Sequence, residues 1–251
     1  MLFSFGAQDI VVNIATAQAL EQALRARLGA GQGFALATIN LDHLDKLKRD
    51  ARFRTAYGAQ DFVVADGNPI VWLSHLAGRP VALIPGADLV VPLAGWARDA
   101  GVKVALVGTT EAALAAAAAR LRELVAGLEI SATIAPPMGF EPAGEEARAV
   151  LEALKASGAG LVLVALGAPK QEEFAALGRE LLPEVGFASI GAGLDFLAGT
   201  QKRAPRWVRA LAMEWLWRAL SQPLRLGRRY GRALVALPGH ALRAWRQRGW
   251  R

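Results

Sequence analysis

Five short polar or glycine-rich segments of this 251-residue chain hold the residues that could do chemistry. They are Thr38-Ile39-Asn40, Asp66-Gly67-Asn68, Gly108-Thr109-Thr110, Gly167-Ala168-Pro169-Lys170-Gln171-Glu172 and Gly191-Ala192-Gly193-Leu194-Asp195. A carboxylate such as Asp66, followed by glycine at the rim of a site, can accept a proton from a substrate hydroxyl. It reads equally well as the cap of a following helix. Gly108-Thr109-Thr110 precedes a helix and offers backbone N–H groups to a phosphate, although a plain turn with a threonine cap is the simpler reading. The segment 167–172 is the most distinctive. Gly167 permits close backbone approach, Pro169 can begin a helix, and Lys170, Gln171 and Glu172 crowd its first turn. A lysine there opposes the helix dipole, which points to an anionic ligand; ordinary helix surface is the alternative.

Other chemistries find less support. The chain has no cysteine, so thiolate metal sites, disulfides and cysteine nucleophiles are excluded. His43, His75 and His240 lack metal-ligand spacing, and there is no G-x-S-x-G elbow. Asp66 and Asp195 form no D-x-D pair, so no metal and no bound cofactor are expected.

The elements that would carry these segments alternate. Helical patterns cover Thr16–Leu28, Asp42 to Tyr57, Pro69–Leu76, Ala87–Ala100, Glu111–Ala126, Gly144–Ala156 and Pro169–Leu182. Apolar strand-like runs cover Phe34–Thr38, Phe62–Ala65, Lys103–Val107, Ile130–Ile134, Leu161–Ala165 and Phe187–Ile190. This alternation predicts an α/β, Rossmann-like, mainly parallel sheet with flanking helices. In such sheets ligands sit outside the carboxyl ends of the strands, which is where the five segments fall.

Charge divides the chain in two. Residues 1–200 carry 16 Lys and Arg against 21 Asp and Glu, a net −5, whereas residues 201–251 carry 13 against the single acid Glu214, a net +12. Five of the seven tryptophans lie in the latter segment. The division predicts an α/β core over 1–200 and a basic, Arg- and Trp-rich helical appendage over 201–251, with helices near 206–221, 224–236 and 239–249 interrupted at Pro223 and Pro238. An appendage of this composition, packed loosely on the core or docked only on a partner, suits an anionic surface, a membrane interface above all. No stretch reaches the length of a spanning helix, and the first ten residues lack a basic leader, so the expected compartment is the cytoplasm.

In combination the motifs resemble those of the WecG/TagA/CpsF family of bacterial glycosyltransferases. The matching pieces are Thr38-Ile39-Asn40, Ala65-Asp66-Gly67, Gly86-Ala87-Asp88-Leu89, Val107-Gly108, Leu166 to Glu172, Gly191 to Gly199, Arg203-Ala204-Pro205, Glu214-Trp215-Leu216-Trp217-Arg218 and Gln222-Pro223-Leu224-Arg225 with Arg228-Arg229. They run in family order across roughly residues 9–230. The resemblance implies metal-independent, inverting transfer of a sugar from a UDP-sugar to a polyprenyl-diphosphate-linked saccharide at the cytoplasmic face of the inner membrane, for exopolysaccharide or other cell-surface polymers. It implies Asp66 as general base. Thr38, Asn40, Gly67, Asn68, Asp88, Gly108, Gly167, Pro169, Lys170, Gln171, Glu172, Gly191 and Asp195 would line the donor and acceptor pocket. Arg203, Arg218, Arg225, Arg228 and Arg229 would close over the diphosphate. Two departures, Leu83 at a position where the family usually has Arg and Gly139-Phe140-Glu141 in place of Gly-Tyr-Phe, leave the donor sugar open, as the oligomeric state is.

Two rival classes stand beside this one. A nucleotide-cofactor enzyme, methyltransferase or oxidoreductase, would need the glycine fingerprint the chain lacks. A non-enzymatic binder using the basic tail on nucleic acid would carry a recognition motif, and none is present, so nucleic acid is not an expected partner.

Overall fold

The computed structural model of the chain describes residues 1–6, 8–205, 207–208, 217 and 228–249, with backbone alone for 228–234 and 249. Six parallel strands make its central sheet, in the order β4-β3-β8-β7-β5-β6. They are β3 (Phe34–Ile39), β4 (Phe62–Ala65), β5 (Val104–Gly108), β6 (Ile130–Ile134), β7 (Leu161–Ala165) and β8 (Gly186–Ser189). The all-apolar runs behave as strands covered on both faces should: every residue of β3, β5, β7 and β8 is buried, whereas the edge strand β6 is partly exposed.

Alternation along the strands distributes the core. Phe34 and Leu36 of β3, Val104 and Leu106 of β5 and Leu161 and Leu163 of β7 pack with α1 (Ala17–Gly29), α5 (Gly86–Asp99) and α6 (Glu111–Leu124). Ala35, Ala105, Val107, Val162 and Val164 point the other way, toward α7 (Glu145–Ala156) and α8 (Lys170–Leu181). A third cluster joins Ala37, Ile39, Val63 and Ala65 to α2 (Leu41–Arg49), α3 (Ala51–Gly58) and α4 (Asn68–Leu76).

The topology makes a place for a ligand. After β5 the chain turns outward to α6 and the edge strand β6, whereas after β7 it turns back through α8 to β8. Likewise β3 leads outward to β4, and β8 leads through α9 (Gly193–Ala198) toward α5 and α6. Carboxyl ends that diverge in this way leave a crevice between them.

Several details differ from the sequence-based expectations. The stretch 42–57 is two helices, because Asp50 leaves helical geometry and its side chain caps α3 by accepting from Phe53 N. An antiparallel hairpin, β1 (Leu2–Phe5) with β2 (Gln8–Val11), precedes the core; its strands are only four residues each. The expected interruption at Pro238 does not occur: α10 (Arg228–Arg246) runs through that proline. Nor does this part of the appendage sit loosely. It packs on α2 and α4, burying His240 and Ala244, and Gln247 Nε2 donates to Leu2 O at 2.8 Å. Most of the helix expected near 206–221, all but residues 207–208 and 217, and the start of that expected over 224–236 lie outside the described residues.

Candidate functional site

At the outer end of the sheet, β3 and β4 bring Asn40 and Asp66 together. Asp66 N donates to Ile39 O at 2.8 Å, which extends the β3–β4 pairing to the strand ends. Gly67 follows with φ of +113°, a conformation open to glycine and costly for other residues. Its α-carbon faces Asn40, whose Cβ lies 4.0 Å from the point where a Cβ on residue 67 would stand. Gly67, not Asp66, occupies the cap position of α4. Asp66, one residue before that cap, is half-buried at the carboxyl end of β4. Asn68 is the first residue of α4 and is also half-buried. Asn40 caps α2, its Oδ1 accepting from His43 N at 3.1 Å; its amide nitrogen is not used in that bond.

Thr38 is buried on the face of β3 that meets the start of α5. A Cβ on Gly86 would lie 3.2 Å from both Thr38 Oγ1 and the Ile190 α-carbon, so α5 begins directly over the ends of β3 and β8. Two residues further on, Asp88 receives both guanidinium nitrogens of Arg203, which also lies 5.8 Å over the Phe196 ring. Arg203 is therefore tied to the core at the crevice edge. Leu83 stands beside the same edge, half-exposed and bridged to Ala65, the residue before Asp66.

At the inner end, Gly108 closes β5 with φ of +127°, and a Cβ there would meet Ala165 O at 2.4 Å, so only glycine fits. Thr110 caps α6, as the simpler reading of this turn has it. Thr109, with φ of +47°, donates to Asp195 Oδ1 at 2.6 Å. Asp195 also receives Thr200 Oγ1 at 3.1 Å and Gln201 Nε2 at 3.0 Å. Its carboxylate is thus a structural knot between β5, α9 and the chain that follows.

The segment 167–172 joins the carboxyl end of β7 to α8. Gly167 takes φ of +70°, and Pro169 occupies the cap position of α8. Lys170 Nζ donates to Phe140 O at 2.7 Å, which accounts for a lysine at a helix start without an anion. Lys46 Nζ, from α2, holds Ala168 O at 2.8 Å and lies 3.1 Å from Asp42. Beside this loop an open cleft of about 450 Å³ is lined by Lys46, Arg49, Asp50, Ala51, Arg52 and Pro169. Gln171 and Glu172 are buried; Gln171 Oε1 accepts from Gly191 N at 3.1 Å, joining this segment to the end of β8.

Beneath Gln171 lies a buried group that the motif reading passed over. His43 Nδ1 is 2.7 Å from Tyr57 OH and 3.9 Å from Glu172 Oε1. Burial raises the Glu172 carboxyl to about 7, although its bond from Gln171 and the charge of Lys46 act to lower it. Burial, then the charges of Glu172 and Asp66, push the Tyr57 hydroxyl well above its usual range. The signal for His43 and Lys46 was helical periodicity: they stand three and six residues after Asn40, on one side of α2.

The tail residues Arg218 and Arg225 lie outside the described residues; Arg228 and Arg229 begin α10, described by backbone only. Among its described side chains α10 shows three exposed apolar ones at helical spacing, Val235, Leu242 and Trp245, with Arg243 and Arg246 exposed beside them. Trp72 and Leu76 of α4 are also exposed, and α10 packs against that helix. No helix among the described residues is long and apolar enough to cross a membrane.

Asn40, Asp66 and the Gly167–Glu172 segment thus all follow carboxyl ends of strands in one parallel sheet. Residues 7–251 match the Glycosyl transferase WecG/TagA/CpsF family, so the chain belongs to that family and is a glycosyltransferase.

Proposed function

We propose that the protein transfers a sugar from a UDP-sugar to a polyprenyl-diphosphate-linked saccharide, with inversion, at an anionic membrane surface on the cytoplasmic side, in the synthesis of a cell-surface polymer. The observation that supports this reading is Asp66 at the carboxyl end of β4, where its N–H bond to Ile39 O sets it beside Asn40. A single displacement at the anomeric carbon needs a base to take the proton of the attacking hydroxyl, and a carboxylate at the end of a strand can be that base. Asn40, through its amide nitrogen, and Thr38 would orient the sugars. UDP leaves with its negative charge, and donors at the crevice edge would stabilise it. Arg203, paired with Asp88, would be one of them, and Arg218, Arg225, Arg228 and Arg229 would join it from the tail. With the Asp195 carboxylate held by Thr109, Thr200 and Gln201, the charge is met by guanidinium groups and backbone N–H donors rather than a divalent ion.

The membrane part of the reading rests on the outer face of α10 and α4. Trp72, Leu76, Val235, Leu242 and Trp245 present apolar surface with Arg243 and Arg246 alongside. Aromatic and aliphatic groups flanked by arginines suit the headgroup boundary. A polyprenyl diphosphate is confined to that boundary, so docking this face would bring the acceptor to the crevice. The test is a panel of UDP-sugars assayed for UDP release with a lipid-diphosphate acceptor; turnover with none of them would refute the reading.

A further inference from the structure

Glu172 is buried completely, one residue beyond Gln171, and one of its carboxyl oxygens makes a single side-chain bond: Oε1 accepts from Gln171 Nε2 at 2.8 Å, while Oε2 has no hydrogen-bond partner. Gln171 uses its own Oε1 to accept from the Gly191 backbone N–H at 3.1 Å. A glutamine amide can turn over and exchange its oxygen and nitrogen. Turned over here, its NH2 would face the Gly191 N–H, donor against donor, and its oxygen would face the Glu172 carboxyl. An ionised carboxyl only accepts, so it forbids that arrangement; a protonated one can donate and tolerates it.

We propose that Glu172 is a positioning residue that acts through Gln171: as a carboxylate it fixes the amide so that the Gly191 N–H, and with it the corner from β8 to α9, is held against the first turn of α8. Protonation loosens this corner, because a hydrogen bond to an ionised acceptor is roughly twice as strong as a neutral one. Burial brings the change of charge to about 7, within the working range of a cell. The groups facing Glu172 are His43 and Lys46 from α2, Tyr57 from α3 and Glu173 on its own helix; Gln60 Nε2 donates to its main-chain oxygen at 3.2 Å, and Asp66 acts on Tyr57. Gly191 borders the crevice, so its fixation sets one wall of the site. The link to turnover rests on the glycosyl-transfer reading; the link to the Gly191 amide does not.

The experiment is nuclear magnetic resonance on the ¹³C,¹⁵N-labelled full chain, following the Gly191 amide, the Gln171 side-chain NH2 and the Glu172 carboxyl carbon from about pH 5.5 to 8.5, across the Glu172 titration. In wild type both signals are expected to move together with one midpoint near neutrality. In Glu172→Gln, which keeps volume and an acceptor oxygen but cannot ionise, both movements should vanish. Gln171→Met, which removes both bonds, should leave the Glu172 carboxyl carbon titrating while the Gly191 amide no longer follows. With an active donor and acceptor, kcat in Gln171→Ala should not fall further when Glu172→Gln is added. Signals that fail to move in wild type, a shared titration that survives Glu172→Gln, or effects of the two substitutions on kcat that multiply would each overturn the proposal.

Discussion

Thr109 Oγ1 lies 2.6 Å from Asp195 Oδ1, a bond that ties the end of β5 to the first turn of α9 across 86 positions of sequence. Thr109 makes it from a backbone conformation with φ of +47°, uncommon for a β-branched residue. Thr109→Val keeps that strain and loses the bond, and should lower unfolding free energy by about 1–2 kcal/mol. Thr109→Gly relieves the strain and should cost less. Urea unfolding of the two variants checks the order; Thr109→Val as stable as wild type would show that the bond contributes nothing.

The contrast between Asp66 and Asp195 shows how far the chain could be read without coordinates. The parallel sheet was legible because strands covered on both faces are continuous apolar runs, and Ile130–Ile134 and Leu161–Ala165 have the bounds expected of them. Placement of the polar segments at the strand ends followed from topology alone. What the side chains do there was not legible. Asp66 and Asp195 look alike in sequence, yet Asp195 accepts from three local donors, and Gly67 rather than Asp66 takes the cap position of α4. The partnership of His43, Tyr57 and Glu172 joins positions up to 129 residues apart, a distance no local pattern reports. Pro238 misled because a proline in a long helix can be tolerated when tertiary packing holds both sides, as α2 and α4 hold α10.

Docking of α10 should depend on pH. Burial, then the charges of Lys48 and Arg243, lower His240 from 6.5 to about 4, against a smaller opposing effect of Asp45. The unfolded chain therefore binds the proton more readily, and stability rises with pH between about 4 and 6.5. Between pH 7 and pH 5 this one group should cost about 2 kcal/mol. His240→Asn cannot titrate there. Urea unfolding at both pH values should show a smaller acid loss for this variant than for wild type; equal losses would remove His240 from the account.

The exposed face of α10 offers a test of membrane contact that leaves the buried face alone. Wild type should sediment with phosphatidylglycerol-containing vesicles at low salt and be released at high salt, since each cation near an anionic surface contributes about 1 kcal/mol. Leu242→Asp with Trp245→Asp removes the apolar part and adds repulsion, at positions that are exposed in the folded protein. The pair should lower vesicle binding at least tenfold with an unchanged melting temperature. Binding equal to wild type would place the membrane contact elsewhere.

Excess EDTA should leave transfer intact, because arginines and backbone N–H groups are the proposed partners of the leaving diphosphate. Initial rates with and without chelator, and after adding back Mg²⁺ or Mn²⁺, check this. Loss of activity restored by either ion would contradict it and return Asp66 and Asp195 to consideration as ligands.

The most direct measurement is single-turnover transfer to a polyprenyl-diphosphate saccharide by wild type and by Asp66→Asn, with UDP-sugar affinity determined separately by calorimetry. A positioned base contributes on the order of 10²–10⁴ in rate. The account predicts that Asp66→Asn slows transfer by about that factor while the donor binds as tightly as before. Wild-type rates in Asp66→Asn would contradict it.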